Sequence, residues 1–219
     1  MGFLDALDAA AAAELRSLGR PRHYPRGSLL FAEGDVAHEV VVILHGAVKV
    51  VATATSGRQV VLEVLEDGAL LGELSAMDGG DRSATAIALT PVEVLALPQS
   101  AFRRLVNQHP ELAAALLHLL AERLRGASRR QLEFGANDAL GRLCQRLEEL
   151  VRRHGAADGA GRTVIELPFS QQDLAAWAGL SREAVVKGLR ALRTLGWVEA
   201  AGRRLVFLDE AAVHERARQ

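Results

Sequence analysis

A long β-rich run gives way to helical spacing at Pro98, and that change limits the architectures open to the chain. Before Pro98, short runs of Val, Ile and Leu are punctuated by Gly27, Gly34, Gly46, Gly57, Gly68 and the pair Gly79-Gly80, at intervals of about seven to twelve residues. Short β-rich segments at that spacing, with turn residues between them, predict an all-β sandwich or barrel. The expected strands are Ser28–Phe31, Val40–Leu44, Ala47–Ala52, Gln59–Leu65, Ser83–Ala88 and Val92–Pro98. After Pro98 the apolar residues recur at helical spacing.

The flanks are helical by the same criterion. Residues 3–19 read as a short amphipathic helix with Phe3, Leu4, Leu7, Leu15 and Leu18 inward, closed by Pro21 and Pro25. Ser100 is placed to cap a short helix through Val106, and Pro110 sits where a first-turn proline is tolerated. From there to Phe134 the only helix breaker is Gly126. Leu117, Leu120, Leu124, Ala127, Gln131 and Phe134 follow alternating spacings of three and four, the seam of a heptad. Such a helix either pairs with a second chain, through Leu117, Leu120, Leu124, Ala127 and Phe134, or merely covers its own β domain. Asn137-Asp138 ends the run and caps a helix over Ala139–His154, with Leu140, Leu143, Leu147 and Leu150 inward. Residues 155–162 are loop-like in composition, Thr163–Leu167 a short strand, and Trp197–Glu199 with Arg204–Leu208 a small hairpin. The tail from Asp209 is expected to be a frayed helix. The resulting division is 1–109, 110–137 and 138–219.

The strongest chemical signal lies between Ser170 and Arg190 (SQQDLAAWAGLSREAVVKGLR). Ser170 caps a first helix, Gln171–Ala178. Gly179 supplies a tight turn, and Ser181 caps a second helix. Leu174, Ala178, Leu180, Val185 and Leu189 form the shared core. Subtracting them leaves Arg182, Glu183, Val186, Lys187 and Arg190 facing outward. A bidentate guanine reader, a cytosine acceptor and a long cation one turn later are the side-chain types that read major-groove edges. The hairpin that follows, with Arg203 and Arg204 at its tip, is placed like a wing near phosphates. The alternative is an ordinary helical hairpin with a solvated basic face. Ser170, Gln172, Ser181, Arg182, Glu183, Lys187 and Arg203 are the expected DNA-contacting residues.

Net charge decides nothing here, because the formal value is −1. Its distribution says more. Between Ser181 and Arg204, six basic residues stand against two acidic ones, a local surface able to bind phosphate on a near-neutral protein. Cys144 is the only cysteine, which excludes an intrachain disulfide and any cluster held by several thiolates of one chain. No nucleophile–base pair, metal-ligand cluster or Walker loop is legible, so neither an enzyme nor a metal site is expected. No stretch approaches the roughly 20 apolar residues of a membrane span. The start Met1-Gly-Phe-Leu-Asp lacks a basic segment and an apolar run, which predicts no signal peptide and a cytoplasmic protein.

Three segments together resemble the cyclic-AMP receptor protein and fumarate–nitrate regulator (CRP/FNR) family. Gly27–Asp35 (GSLLFAEGD) is similar to its early β-roll signature. Gly72–Thr85 (GELSAMDGGDRSAT) is similar to its phosphate-binding cassette, and Leu180–Lys187 (LSREAVVK) to the start of its recognition helix. The resemblance implies an α+β chain: an N-terminal cyclic-nucleotide-binding-like β-roll (jelly roll), a long dimerisation helix and a C-terminal winged helix-turn-helix. It implies a dimeric transcription regulator, with RNA polymerase as a further partner and cyclic AMP or another cyclic nucleotide as effector. Half-sites related to TGTGA in an inverted repeat would follow, although Lys187 replaces the family's usual arginine and Ala184 its threonine. Gly72, Glu73, Arg82, Ser83, Arg123 and Ser128 would form the effector site. Gly72 lets the backbone approach a ligand, Glu73 accepts from a ribose hydroxyl, and Arg82 and Ser83 take the phosphate. The opposing reading is that Glu73 and Arg82 form a structural ion pair, with Arg123 of the long helix. The family's adenine-recognising Thr-Ser is Ala127-Ser128 here, which removes one hydroxyl. An iron–sulfur sensor would need more cysteines, and a haem sensor would need axial ligands from among His38, His45 and His118. A ligand-independent DNA-binding protein with the β-roll as dimerisation scaffold remains the alternative.

Overall fold

A computed structural model describes residues 3–4, 7–53 and 59–218, the side chains of 133–136 excepted. Gly57 falls outside these residues, as does the side chain of Phe134. The chain divides into two compact units, Met1–Ser128 and Arg129–Gln219.

In the first unit, helix α1 (Ala9–Leu18) is followed by strands β1 (Arg20–Tyr24), β2 (Leu29–Phe31), β3 (Glu39–His45), β4 (Val48–Thr53), β5 (Gln59–Leu65) and β6 (Leu70–Leu71). Then come α2 (Glu73–Asp78), β7 (Thr85–Ala88), β8 (Val92–Pro98) and α3 (Gln99–Gln108), and the long helix α4 (Pro110–Ala136) begins. The strands form two antiparallel sheets, ordered β1-β8-β3-β6 and β2-β7-β4-β5. The continuous run Val40–Ile43 explains itself in this arrangement, because both faces of β3 are buried. Val41 and Ile43 pack with Val48, Leu65, Ala86 and Ala88 of the opposing sheet. Val40 and Val42 pack with Leu15, Phe102, Leu105, Leu112 and Leu116 of the helices. Each fully buried Leu, Ile or Phe contributes about 1.5–3 kcal/mol relative to exposure.

The sequence expectations need several corrections here. The first helix begins at Ala9, where Asp8 caps it by accepting from Ala11 N, and not at residue 3. Leu18, expected inward, is 37% exposed. Pro21 does not close a helix into a loop but lies within β1, an edge strand in the sheet order, where a missing N–H is tolerated. Pro98, not Ser100, precedes α3.

The second unit opens its helices with α5 (Ala139–His154). It continues through β9 (Ala156–Ala157), β10 (Thr163–Glu166), α6 (Gln171–Ala178), α7 (Arg182–Thr194), β11 (Val198–Ala201), β12 (Arg204–Phe207) and α8 (Glu210–Ala217). Its sheet is ordered β11-β12-β10-β9, so the segment expected to be loop contributes a short edge strand. The tail is not frayed. Asp209 caps α8, His214 faces Glu148 at 3.0 Å, Arg216 donates to Asp138 at 2.6 Å, and Gln145 donates to the Ala217 carbonyl at 2.9 Å.

One junction in the first unit holds a histidine between two carboxylates. His109 separates α3 from α4, and its ring nitrogens face two carboxylates, Nε2 to Glu14 at 2.8 Å and Nδ1 to Glu111 at 3.0 Å. Only the doubly protonated imidazolium donates to both. The hydrogen bond to Glu14 raises its pKa above the ordinary 6.5; desolvation opposes this, and the hydrogen bond to Glu111 adds to the rise. A raised folded pKa gives stability that is full below about pH 6.5 and is lost as pH climbs through the folded value. The urea midpoint of the full chain is therefore expected to fall across that window. His109→Gln should flatten this part of the profile, and an unchanged profile would remove His109 from the account.

Candidate functional site

Two sites emerge, one in each unit. The first is built where β6 runs into α2. Gly72 precedes α2 in the left-handed conformation, with φ of 79°. A Cβ there would collide with Nη1 of Arg82, so glycine is required for both backbone and space. Arg82 is buried, at 5% exposure. Its guanidinium donates to the Glu39 carbonyl at 2.6 Å and to the Gly72 carbonyl at 3.4 Å, and lies 4.1 Å from the ring centroid of Phe31. These acceptors are neutral carbonyls. Burial lowers the pKa of Arg82, and the nearby carboxylates of Glu39, Asp35 and Glu73 offset this only from a distance. A cation so placed is suited to an anion that brings its own oxygens.

Glu73, at 3% exposure, is paired elsewhere. Nη1 of Arg123, on α4, donates to Glu73 Oε1. Nη2 of Arg123 donates to the Leu70 carbonyl at 2.7 Å, and its Nε stands 3.4 Å from Glu63. The structure therefore divides the expected Glu73–Arg82–Arg123 network: Glu73 pairs with Arg123, while Arg82 takes carbonyls. Ser83 beside it is exposed. Gly72, Glu73, Arg82 and Arg123 are brought together, whereas Ala127 and Ser128 lie farther along α4, exposed. Glu39, Glu63 and the Leu70 carbonyl have no motif that announces them in the sequence. Phe31 lies inside the quoted β-roll signature, but nothing in that segment indicates its stacking on Arg82.

Along α4, Leu112 and Leu116, which lie before the predicted seam, are buried in the first unit's core, and of the seam itself Leu120 is partly buried there. Leu117 and Leu124 are each 69% exposed, and Ala127 is exposed with them.

The second site is the α6–α7 pair. Ser170 caps α6 in a reciprocal box with Asp173, and Gly179 ends it in the left-handed conformation. The Ser181 side chain caps α7 by accepting from Ala184 N at 3.1 Å. Val185, Leu189 and Leu192 are buried, and Arg182, Glu183, Val186, Lys187 and Arg190 are exposed, as the sequence pattern requires. A hydrogen bond from its own backbone N–H, reinforced by Ser181, lowers the pKa of Glu183, so it is an acceptor at neutral pH. Gln172 is exposed on α6. Arg203, at the hairpin tip, is tethered: its Nε donates to the Leu167 carbonyl at 2.8 Å. The support beneath α7 was not legible in full. Gly188 comes so close to Leu143 of α5 that a Cβ would stand 2.5 Å from Leu143 Cδ2. Trp177 of α6 packs edge-on against Phe169, with Arg146 and Arg153 over its ring.

Among the described residues, no helix is long and apolar enough to cross a membrane, and no group of His, Cys, Asp and Glu side chains is arranged to hold a metal ion. Comparison with known proteins gives a consistent picture. Residues 21–109 match the cyclic nucleotide-binding domain family, and residues 141–216 the Crp-like helix-turn-helix domain family. The chain is 30% identical over 217 residues to the CRP-like cAMP-activated global transcriptional regulator of Mycobacterium tuberculosis, covering 99% of this chain and 96% of that protein. It is 34% identical over 194 residues to the cyclic AMP receptor protein of Thermus thermophilus, covering 89% and 86%. Among solved structures, FixK2 from Bradyrhizobium japonicum shares the fold with a TM-score of 0.80 at 24% identity, covering 90% of this chain and 96% of that one.

The Gly72–Arg82 contact yields a direct test. Gly72→Ala forces a side chain into the left-handed region and pushes Arg82 off its carbonyls. It is expected to cost about 1–3 kcal/mol in urea unfolding. Gly72→Asn, which tolerates the backbone but not the space, should cost a similar amount. A cost within about 0.5 kcal/mol for both variants, the range of an ordinary surface change, would contradict the packing described.

Proposed function

We propose that this chain, which belongs to the CRP/FNR family of transcription regulators, works as a dimer whose affinity for DNA is set by a cyclic nucleotide, cyclic AMP first among them, bound in the β-roll. The observation that carries the effector reading is Arg82: a buried guanidinium satisfied by carbonyls, beside a glycine that leaves the backbone open. In this reading the cyclic phosphate sits on Arg82 and Ser83, and a ribose hydroxyl donates to Glu73. That donation competes with Arg123 for the same carboxylate. Arg123 lies on α4, so occupation of the site changes what holds the long helix. Relatives named as a cAMP-activated regulator and as a cyclic AMP receptor protein favour the same ligand class. Because Ala127 offers no hydroxyl to the base, discrimination between adenine and guanine is expected to be weak.

The dimer is proposed from the exposed stripe Leu117, Leu124 and Ala127, continued by Leu120 at its packed edge. The stripe would pair with its twofold mate, bringing Ser128 toward the partner's ligand. Two recognition helices in one dimer address inverted half-sites about one DNA turn apart, roughly 34 Å. In each half-site Arg182 donates bidentately to a guanine, Glu183 accepts from a cytosine amine, and Lys187 reaches a base edge or phosphate. Ser170, Gln172, Ser181 and Arg203 are assigned to the backbone around them. The effector domain is proposed as 1–109, the dimer helix as 110–137 and the DNA-binding domain as 138–219, in a cytoplasmic protein that meets RNA polymerase at its promoters.

Calorimetry with cyclic AMP and cyclic GMP, together with DNA affinity measured with and without each, tests the gating. Binding should be seen with wild type and lost in Arg82→Ala, and DNA affinity should change by about 5- to 150-fold on occupation. No heat with either nucleotide, and unchanged DNA affinity, would instead establish the β-roll as a ligand-independent scaffold.

The interface has its own test. Leu124→Glu buries a charge in the proposed seam and should convert the dimer to monomer in light scattering. Because Leu124 is exposed within its own chain, the variant should stay folded. A dimer unchanged in mass would place the interface elsewhere.

A further inference from the structure

The outward face of α7 contains one residue whose chemistry does not match its neighbours. Val186 is 48% exposed, between charged residues. At about 100° per residue, it lies about 40° around the helix from Arg182 and about 100° from Lys187. It therefore sits inside the arc that those two side chains bound, and on the turn directly after Arg182. The buried face of α7 is formed by Val185, Gly188, Leu189 and Leu192, and Val186 is not among them. Neither helix propensity nor burial explains a valine there, since a β-branched residue is a poor helix former and this one is not in the core.

We infer that Val186 is a specificity-determining residue that reads the 5-methyl group of a thymine in the major groove. Valine has no donor or acceptor, so it cannot recognise the hydrogen-bonding edge of any base. What it can distinguish is shape and apolar surface, and the one apolar group on the major-groove edge of an unmodified base pair is the thymine methyl. The side chains flanking it fix the geometry. Arg182 and Lys187 hold the helix against base edges on either side, and Glu183 is kept ionised and so acts as an acceptor there. The stubby valine between them then meets the groove floor only where a methyl rises to it. The expected selectivity is a thymine next to the guanine taken by Arg182, and it rests on the DNA-reading role proposed for α7.

The test uses full-length protein and removes nothing but that methyl. A site is first enriched from random duplexes, with and without added cyclic AMP. Each thymine of one half-site, on both strands, is then replaced singly by deoxyuridine. At one thymine the wild type should lose affinity on the order of fourfold, the worth of one buried methyl. Val186→Ala should bind the thymine duplex correspondingly less well and be indifferent to uracil at that position, with its other uracil responses unchanged. Val186→Ile should restore the sensitivity. Equal uracil responses in wild type and Val186→Ala at every position, or no sensitive thymine in wild type, would overturn the assignment. Failure to enrich any sequence under either condition would overturn the DNA-reading role itself. That outcome is distinct, because it precedes any substitution of bases.

Discussion

The burial of β3 on both faces organises the first unit. A strand that carries Val40 and Val42 on one side and Val41 and Ile43 on the other cannot leave either side in water. One side is closed by the second sheet and the other by helices, which obliges the first turns of α4 to lie on the β domain through Leu112 and Leu116. The same strand pairs with β6 at Val41–Leu71 and Val42–Leu70. The chain leaving β6 delivers the Leu70 carbonyl, Gly72 and Glu73 to the place that Arg123 of α4 can reach. This cluster of charged and backbone groups is thus a consequence of covering β3. Its charged residues lie where a sheet edge and an obligatory helix converge.

The second unit solves a different problem, which is to hold a short helix rigidly while leaving most of its surface free. α7 contributes a narrow strip, Val185, Leu189 and Leu192, to the core. Gly188 widens that strip by letting the helix approach Leu143 without a side chain between. On the other side α6 is fixed by Trp177, whose ring lies against Phe169 and under the guanidiniums of Arg146 and Arg153. Those two arginines share Glu149, at 2.9 and 2.5 Å, so the charges over the indole are neutralised from behind. Both close contacts spare the outward face of α7, the face proposed to meet a base edge.

Much of this was legible in the sequence because it is local. The caps at Ser170 and Ser181, the turn at Gly179 and the buried stripe of α7 depend on residues three or four apart, and the structure has α6 at Gln171–Ala178 as the pattern requires. The strands Gln59–Leu65 and Val92–Pro98 were equally clear from composition and turn spacing. What was hidden is non-local. β1 carries two arginines, a histidine and a proline, and is a strand only because β8 offers it a ladder. The two-residue strand β6 exists only opposite β3. The tail forms an ordered helix because Asp138, Gln145 and Glu148, distant in sequence, receive its polar groups. Around Gly72 the sequence named residues that the fold brings together, but not their hydrogen-bond partners. A carboxylate such as Glu73 has the same local sequence whether it meets Arg82 or Arg123, and only the course of α4 decides.

The distribution of charge gives a protein of net charge −1 two places able to meet an anion. Long-range attraction is not available to it, so each anion must be met by cations placed within a few ångströms, inside the distance at which salt screens. At α7 those cations are exposed and clustered, because a duplex presents its charge along a surface. At the β-roll Arg82 is a buried cation, and the second guanidinium of the cluster, Arg123, is taken by Glu73. Arg82 is buried, its hydrogen-bond acceptors are carbonyls, and the carboxylates of Glu39, Asp35 and Glu73 act on it only through space. A small anion gains more from one desolvated guanidinium with fixed geometry than from several flexible surface cations, because the interaction is stronger in a low dielectric and the guanidinium is already ordered. The pairing of Glu73 with Arg123 complements this. It satisfies the other buried charge of the site from α4, so any ligand that claims Glu73 must act on the helix whose exposed stripe is available to a second chain.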